Sequence, residues 1–282
     1  MQSEFDYIIV GGGSAGCVLA NRLSQDPDVA VLLLEAGGEG RSLFVDMPSA
    51  FAIPMASKEF NWGYYSQPEP TLNGRPMDAA RGRGLGGSSA INGMVYVRGH
   101  ACDFDEWEVN GADGWNYRNC LPYFQRAETW MHGGGEYRGG SGPVGTSNGN
   151  NRKNPLYDAF IGAGEQAGYG TTDDYNGHRQ EGFGPMHMTV KGGVRSSTRR
   201  AYLSTTRNRQ NLTVLTRAQV DRVEMEAGVA KRVCFEHKGA RHTVQASREI
   251  ILSAGSIGSP AVLQRSGIGP ADVLAAAGVQ LQ

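Results

Sequence analysis

The stretch YIIVGGGSAGCVLANRL, residues 7–23, decides the fold class of this chain. A short apolar run at 5–10 is followed by three glycines and then by a segment with helical spacing, 14–24. A second buried run, VAVLLL at 29–34, completes a strand–helix–strand unit of about 30 residues, which is typical of a parallel sheet covered on both faces. The sequence therefore predicts an α/β fold that begins with a βαβ unit.

The glycines of this turn have the spacing of a dinucleotide-binding loop. Gly11, Gly13 and Gly16 form G-x-G-x-x-G, which permits a tight turn, close approach of the backbone to a pyrophosphate, and close packing of helix on strand. The helix N-terminus adds N–H groups and a positive dipole end. Glu35 ends the second strand 19 residues after Gly16, where an acid can accept hydrogen bonds from a ribose. An acid there disfavours NADP, because it repels a 2′-phosphate.

A second glycine-rich segment, GRGLGGSSAINGMVYVRG at 82–99, favours FAD over NAD. A flavin dinucleotide is long, and it needs backbone contacts well beyond one turn. The segment is too apolar for a flexible linker, since it carries Leu85, Ile91, Met94 and Val95.

The rest of the chain alternates between irregular segments and short regular elements. A Gly- and Asn-rich stretch, 132–151, is predicted to be a loop with a short strand at 143–147, and 155–168 has the pattern of a helix. Strands are then predicted at 211–216, 219–226, 231–237 and 242–246 as a meander and at 248–255 as a buried strand, with a helix at 259–267. The returning α/β pattern predicts a nucleotide-binding domain with inserted material.

Composition excludes several classes of protein. The 282 residues carry a net charge of −1, which does not favour nucleic acid as a partner. No apolar stretch approaches the roughly 18 residues of a membrane span, and no secretory signal is visible. We therefore expect a cytoplasmic protein, with membrane association left open. The cysteines form no Cys-x-x-Cys pair, so we expect free thiols and no metal site.

The chain resembles the N-terminal part of the glucose–methanol–choline (GMC) oxidoreductases. Three ordered stretches carry the resemblance: the first glycine turn with Glu35, the segment 82–99, and GSIGSPAVLQRSGIG at 255–269. Gln264 departs from the family pattern, which usually has an aliphatic residue there. The resemblance covers the whole chain. The sequence as a whole most resembles bacterial choline dehydrogenases and related FAD-dependent alcohol dehydrogenases.

This resemblance implies fold and activity. The fold would be a Rossmann-like FAD-binding domain from 1–140 and 205–282, interrupted by an incomplete α+β substrate-binding domain, 141–204. The reaction would be oxidation of a primary alcohol, choline-like first, by proton removal and hydride transfer to flavin N5. Oxygen or another acceptor would take the electrons, and the identity of that acceptor stays open.

The resemblance also implies site residues. The contacts to FAD would come from Gly11, Gly13, Ser14, Ala15, Gly16, Glu35, Ser88, Asn92, Gly93, Met94, Val95 and Val220. Ile91 stands where some relatives tether the flavin through a His, so FAD would be bound noncovalently. Trp62 matches an aromatic near the substrate ammonium, and a Trp face attracts such a cation; the competing interpretation is a packing residue.

No catalytic residue is expected in this chain, because the family base lies in the half that would follow Gln282. None of the six histidines lies in a base motif, and we expect them on the surface or in loops. That C-terminal half would be a partner of this chain. Two alternatives stay open: a catalytically silent flavin- or nucleotide-binding module, and an NAD-dependent dehydrogenase.

Overall fold

A computed structural model describes residues 3–149 and 154–282. The strands are β1 (Glu4–Val10), β2 (Val31–Glu35), β3 (Glu128–Trp130), β4 (Val144–Thr146), β5 (Val190–Lys191), β6 (Val194–Arg195), β7 (Leu212–Thr216), β8 (Ala218–Glu226), β9 (Val229–His237) and β10 (Ala240–Leu252). The helices are α1 (Ser14–Leu23), α2 (Leu43–Asp46), α3 (Ala52–Ala56), α4 (Ala101–Val109), α5 (Tyr117–Ala127), α6 (Pro155–Gln166), α7 (Thr198–Ala201), α8 (Gly255–Arg265) and α9 (Ala271–Ala276). The last two residues of the predicted loop 132–151 lie outside the described residues.

A six-stranded sheet in the order β7-β2-β1-β10-β9-β8 organises the α/β part of the chain. Strands β7, β2, β1 and β10 are parallel, which confirms the predicted α/β class, and β9 and β8 continue the sheet antiparallel. The predicted break between 242–246 and 248–255 is wrong, because β10 is one strand. The placement of 211–216 in the meander is also wrong, since β7 pairs with β2 across the sheet.

Strands β1 and β2 are buried on both faces of the sheet, which explains their continuous apolar runs. On one face Ile9 and Leu33 pack against Cys17 of α1. On the other face Ile8 and Leu32 belong to a cluster that also contains Val262 of α8 and residues of β8 to β10. The βαβ unit is thus held from both sides.

The chain divides into two compact units, Met1–Asn92 with Ser197–Gln282, and Gly93–Ser196. The functional domains proposed from sequence, with limits at 140 and 205, remain a prediction, since compactness assigns no function. The second unit contains α4 to α6, the parallel pair β3–β4 and the hairpin β5–β6. All four cysteines are free. No helix in the described part of the chain is both long and apolar enough to cross a lipid bilayer.

A buried ionic network stabilises the second unit. Glu128 is fully buried and accepts hydrogen bonds from Arg98 Nη2 at 2.8 Å and Arg138 Nη2 at 2.5 Å. Burial raises the pKa of Glu128, but hydrogen bonds from Arg138 and Thr146 outweigh it, so the pKa is lowered overall. Arg138 also donates to Asp174 at 2.8 Å. Removing one member of such a network leaves a buried charge without its partner.

His187 belongs to this network. It lies in an irregular segment, as one part of the expectation for the histidines has it, but the other part, a surface position, is wrong. Its side chain is fully buried, with Nδ1 3.2 Å from Arg138 Nη1 and the ring packed against Trp130 and Tyr175. Burial, and next the Arg138 guanidinium, lower the pKa of His187 to about 4. The imidazole is therefore neutral at pH 7.

Acidification should destabilise the second unit through His187. The unfolded chain takes up this proton near pH 6.5 and the folded chain only near pH 4, so the unfolded state binds more protons in that window. The contribution is complete above pH 6.5 and should fall by about 2 kcal/mol on going to pH 5. Urea unfolding followed by tryptophan fluorescence at constant salt measures this loss.

A matched pair of variants isolates the effect. His187→Gln should flatten the dependence on pH between 7 and 5, whereas His178→Gln, at an exposed position, should keep the wild-type slope. Wild-type slope in His187→Gln would assign the acid sensitivity to other groups.

Candidate functional site

A cavity of about 620 Å³ lies in the first unit at the carboxyl ends of β1, β2 and β10. Val10, Leu34 and Leu252 line it at the three strand ends. Strand β1 is flanked by β2 on one side and by β10 on the other, so the sheet is built outward in both directions from this point. Ligand crevices in open α/β sheets form at such a position.

The first glycine turn forms one wall, and two of its glycines are required by sterics. A Cβ on Gly11, at φ +103°, would lie 2.7 Å from Ala254 Cα, and a Cβ on Gly16 would lie 1.9 Å from the Gly11 carbonyl oxygen. Gly13 differs, because the nearest atom to its Cβ would be Ser253 O at 3.8 Å. A Cβ at Gly13 would therefore make only ordinary van der Waals contacts.

Two helix N-termini border the cavity. Helix α1 begins after Gly13 and α8 after Ala254, and neither cap residue offers a side-chain hydrogen bond. The first N–H groups of a helix have no intrahelical acceptor, and its dipole places positive charge there. Ser14, Ala15 and Gly255 all line the cavity, so this wall suits a negatively charged group.

Glu35 lines the cavity at the end of β2, but its carboxylate is already engaged. Oε2 accepts from the Gly12 N–H at 2.8 Å, and Oε1 accepts from the N–H groups of Gly37 at 2.7 Å and Gly84 at 2.9 Å. The side chain is buried. A carboxylate has about four acceptor sites, so one remains for a ligand. Sequence reasoning identified the position and missed this structural role.

The second glycine-rich segment forms the opposite wall through Gly82, Gly87 and Ser88. The Gly86 N–H donates to Gly12 O at 2.8 Å, and a Cβ on Gly87, at φ +51°, would lie 2.7 Å from Gly13 Cα. The two glycine-rich segments thus approach at backbone contact. Their glycines serve packing between the loops as well as access to a ligand.

Val220 lines the far end of the cavity and is buried. Sequence reasoning missed its neighbours there, Ala218, Gln219 and Arg265. Arg265 Nε donates to Asp221 O at 2.7 Å, which ties α8 to β8. These contacts join elements more than 40 residues apart in sequence, and the local pattern carries no signal for them.

Some predicted site residues lie elsewhere. Gly16 packs beneath the turn, and neither it nor Asn92 lines this cavity. Gly93, Met94 and Val95 belong to the second unit, where the Met94 carbonyl accepts from the Thr189 N–H at 2.8 Å and Val95 is exposed. The contacts expected of these residues with a flavin stay predictions.

Trp62 lines the cavity and already has a cation beside its ring. The Arg83 guanidinium carbon is 5.1 Å from the Trp62 ring centroid, and the Tyr64 ring stacks parallel at 5.7 Å. A ligand ammonium would therefore share the ring with a side chain of the protein. This contact gives weight to the packing interpretation of Trp62.

Glu35→Ala should destabilise the ligand-free chain. Three buried N–H groups would lose their acceptor, and we expect the free energy of unfolding to fall by about 2–3 kcal/mol. Chemical denaturation measures this change, with Glu39→Ala, an exposed side chain, as the matched control. If both variants unfold at the wild-type denaturant concentration, the carboxylate does not hold the loops together.

Comparison with known proteins fits this geometry. Residues 5–281 match the family described as GMC oxidoreductase. The chain is 57% identical over 283 residues to the oxygen-dependent choline dehydrogenase of Photobacterium profundum, covering 100% of this chain and 50% of that protein. It is 58% identical over 280 residues to that of Vibrio vulnificus, covering 99% and 50%. The chain spans about half the length of these curated relatives.

Solved structures of related flavoenzymes have the same fold as this chain. Pyridoxine 4-oxidase from Mesorbium loti superposes with a TM-score of 0.90 at 38% identity, covering 98% of this chain and 54% of that one. An FAD-dependent oxidoreductase from Chaetomium thermophilum gives 0.91 at 32% identity, covering 98% and 50%. The chain therefore belongs to the GMC oxidoreductase family.

Proposed function

We propose that this chain binds FAD and supplies most of the FAD site for oxidation of a primary alcohol to its aldehyde, with choline as the leading substrate. One observation carries the proposal: a single cavity is lined by both glycine-rich segments, by Glu35 and by the start of α8. Relatives of about twice this length that are named oxygen-dependent choline dehydrogenases support the choice of substrate.

The residues present fit this cofactor. The cavity lies within the range of about 300–1,000 Å³ that is common for cofactor sites. The N–H groups of Ser14 and Ala15 would hold the pyrophosphate, and the remaining acceptor site of Glu35 would hold the adenosine ribose. Ser88 would lie near the phosphates and Val220 beside the adenine. Asn92, Gly93, Met94 and Val95 do not line this cavity, and contacts of these residues with the flavin are proposed from the family resemblance alone.

When bound, FAD supplies the acceptor for the hydride of the alcohol. Residues of this chain bind and orient the cofactor, while the base that removes the hydroxyl proton is proposed to lie in the second half of the relatives' length. The alternative is a flavin-binding module without turnover. Loaded with FAD, this chain alone should not bleach when choline is added anaerobically, because it lacks the proposed base. A chimera that continues this chain with the second half of the Photobacterium profundum relative should bleach if the chain is part of the enzyme, and should bind FAD without bleaching if the chain is a silent module.

The proposal includes noncovalent binding of FAD. Ile91 is buried in a cluster with Val45 and Ala90, with Phe60 packed against it. An aliphatic side chain has no nucleophile with which to tether a flavin.

FAD should bind saturably, and Gly13→Val should weaken binding by roughly 100-fold or more, since the valine would occupy the space that the phosphates need. The variant should fold, because no atom lies within 3.8 Å of the new Cβ. Quenching of flavin fluorescence measures affinity, and Gly135→Val, at an open loop position, is the control. Acid precipitation should leave the flavin in the supernatant.

Two results would contradict this. Wild-type affinity in Gly13→Val would place FAD away from the turn. Yellow colour in the acid pellet would show covalent attachment.

Trp62→Ala should raise KM for choline about tenfold, the equivalent of 1–2 kcal/mol of cation–π attraction, and should leave KM for the uncharged isostere 3,3-dimethylbutanol nearly unchanged. A chimera that continues this chain with the second half of the Photobacterium profundum relative provides the assay. Trp115→Ala, at an exposed position, is the control. Equal rises for both alcohols would assign Trp62 to packing.

A further inference from the structure

A second cavity, of about 230 Å³, lies in the first unit and shares no lining residue with the first. Four arginine side chains line it: Arg41, Arg199, Arg207 and Arg209. Glu39 is the one acidic residue among its described lining residues. We refer to it as the basic cavity.

The positive charge of the basic cavity is only partly neutralised by acidic side chains. Glu39 pairs with Arg41 at 3.6 Å, and Asp46 is shared between Arg199 at 3.3 Å and Arg200 at 3.7 Å. Within the described residues, Arg207 and Arg209 form no ion pair; Arg209 Nη1 donates to neutral groups, Ser24 Oγ at 2.8 Å among them. A surplus of cations therefore faces a small, half-open cavity.

Arg199 is the most buried of the arginines that line the basic cavity. The residue is only 9% exposed, and its Nε has no hydrogen-bond partner. Burial lowers its pKa; Asp46 opposes this, while the guanidinium groups of Arg41 and Arg200 act in the same direction as burial. A buried donor without an acceptor is costly and needs an explanation.

We propose that the basic cavity binds a small phosphate dianion, either free phosphate or the phosphate group of a monoester. Guanidinium groups suit this ligand because their planar donors match its oxygens in charge and geometry. The available volume holds one such group with a small substituent. This inference does not depend on the proposed flavin chemistry.

The site also contacts the second glycine-rich segment from its far side. Leu85 lines the basic cavity, and its N–H donates to Gly38 O at 3.0 Å. A Cβ on Gly86 would lie 3.3 Å from Arg199 Cβ. A ligand that neutralises Arg199 stabilises the folded state by mass action and thereby this segment.

Calorimetric titration of the chain with inorganic phosphate at constant ionic strength tests the proposal, both with and without saturating FAD. Arg207 is exposed, so its replacement leaves the core intact. Arg207→Gln should weaken phosphate binding about tenfold, the scale of one charge-assisted contact, and Arg207→Lys should retain part of it. Arg241→Gln, an exposed arginine on β10, is the matched control and should bind like wild type.

Three outcomes would overturn the proposal: no saturable heat, an equal effect of sodium chloride, or wild-type affinity in Arg207→Gln. The last would place phosphate elsewhere, for example in the first cavity, where FAD would displace it. Glycerol phosphate identifies the source: competition with phosphate in wild type supports a monoester site, and exclusion supports a site for the free ion.

Discussion

The carboxylate of Glu35 is the interaction on which the cavity depends. It accepts hydrogen bonds from the N–H groups of Gly12 in the first glycine turn, Gly37 after β2 and Gly84 in the second glycine-rich segment. Three segments without regular structure thus share one buried anion. Because glycines leave the backbone free to rotate, such loops need a fixed acceptor to hold one conformation.

Sequence patterns predicted the βαβ unit, the dinucleotide turn and the family, because these depend on local periodicity and on short motifs. These predictions failed where one strand pairs with two different strands along its length. Residues 242–246 and 248–255 were predicted as two strands, yet β10 is continuous through them because β9 pairs with its first half and β1 with its second. No local signal reports a change of pairing partner.

Prediction of the site from sequence was limited in the same way, because tertiary contacts leave no local signal. Glycine spacing located the turn and Glu35, but the bonds from Gly37 and Gly84 and the Arg83 contact on Trp62 depend on tertiary packing. His187 was expected on the surface or in a loop because it lies in no base motif; the contacts that bury it, from Trp130, Tyr175 and Arg138, depend on tertiary packing. Residue types indicated which interactions are possible at the site. Only the fold shows which of these side chains are already engaged by other parts of the protein.

Strand β10 has a consequence for the order in which the protein is assembled. Its pairing with β1 joins Glu4 to Gln245 and Val10 to Leu252, so the centre of the sheet spans almost the whole chain. During synthesis β1, with β2 beside it, cannot complete its pairing with β10 until residue 252 has left the ribosome. Such long-range parallel pairing makes folding slow and leaves an apolar strand edge open to wrong partners.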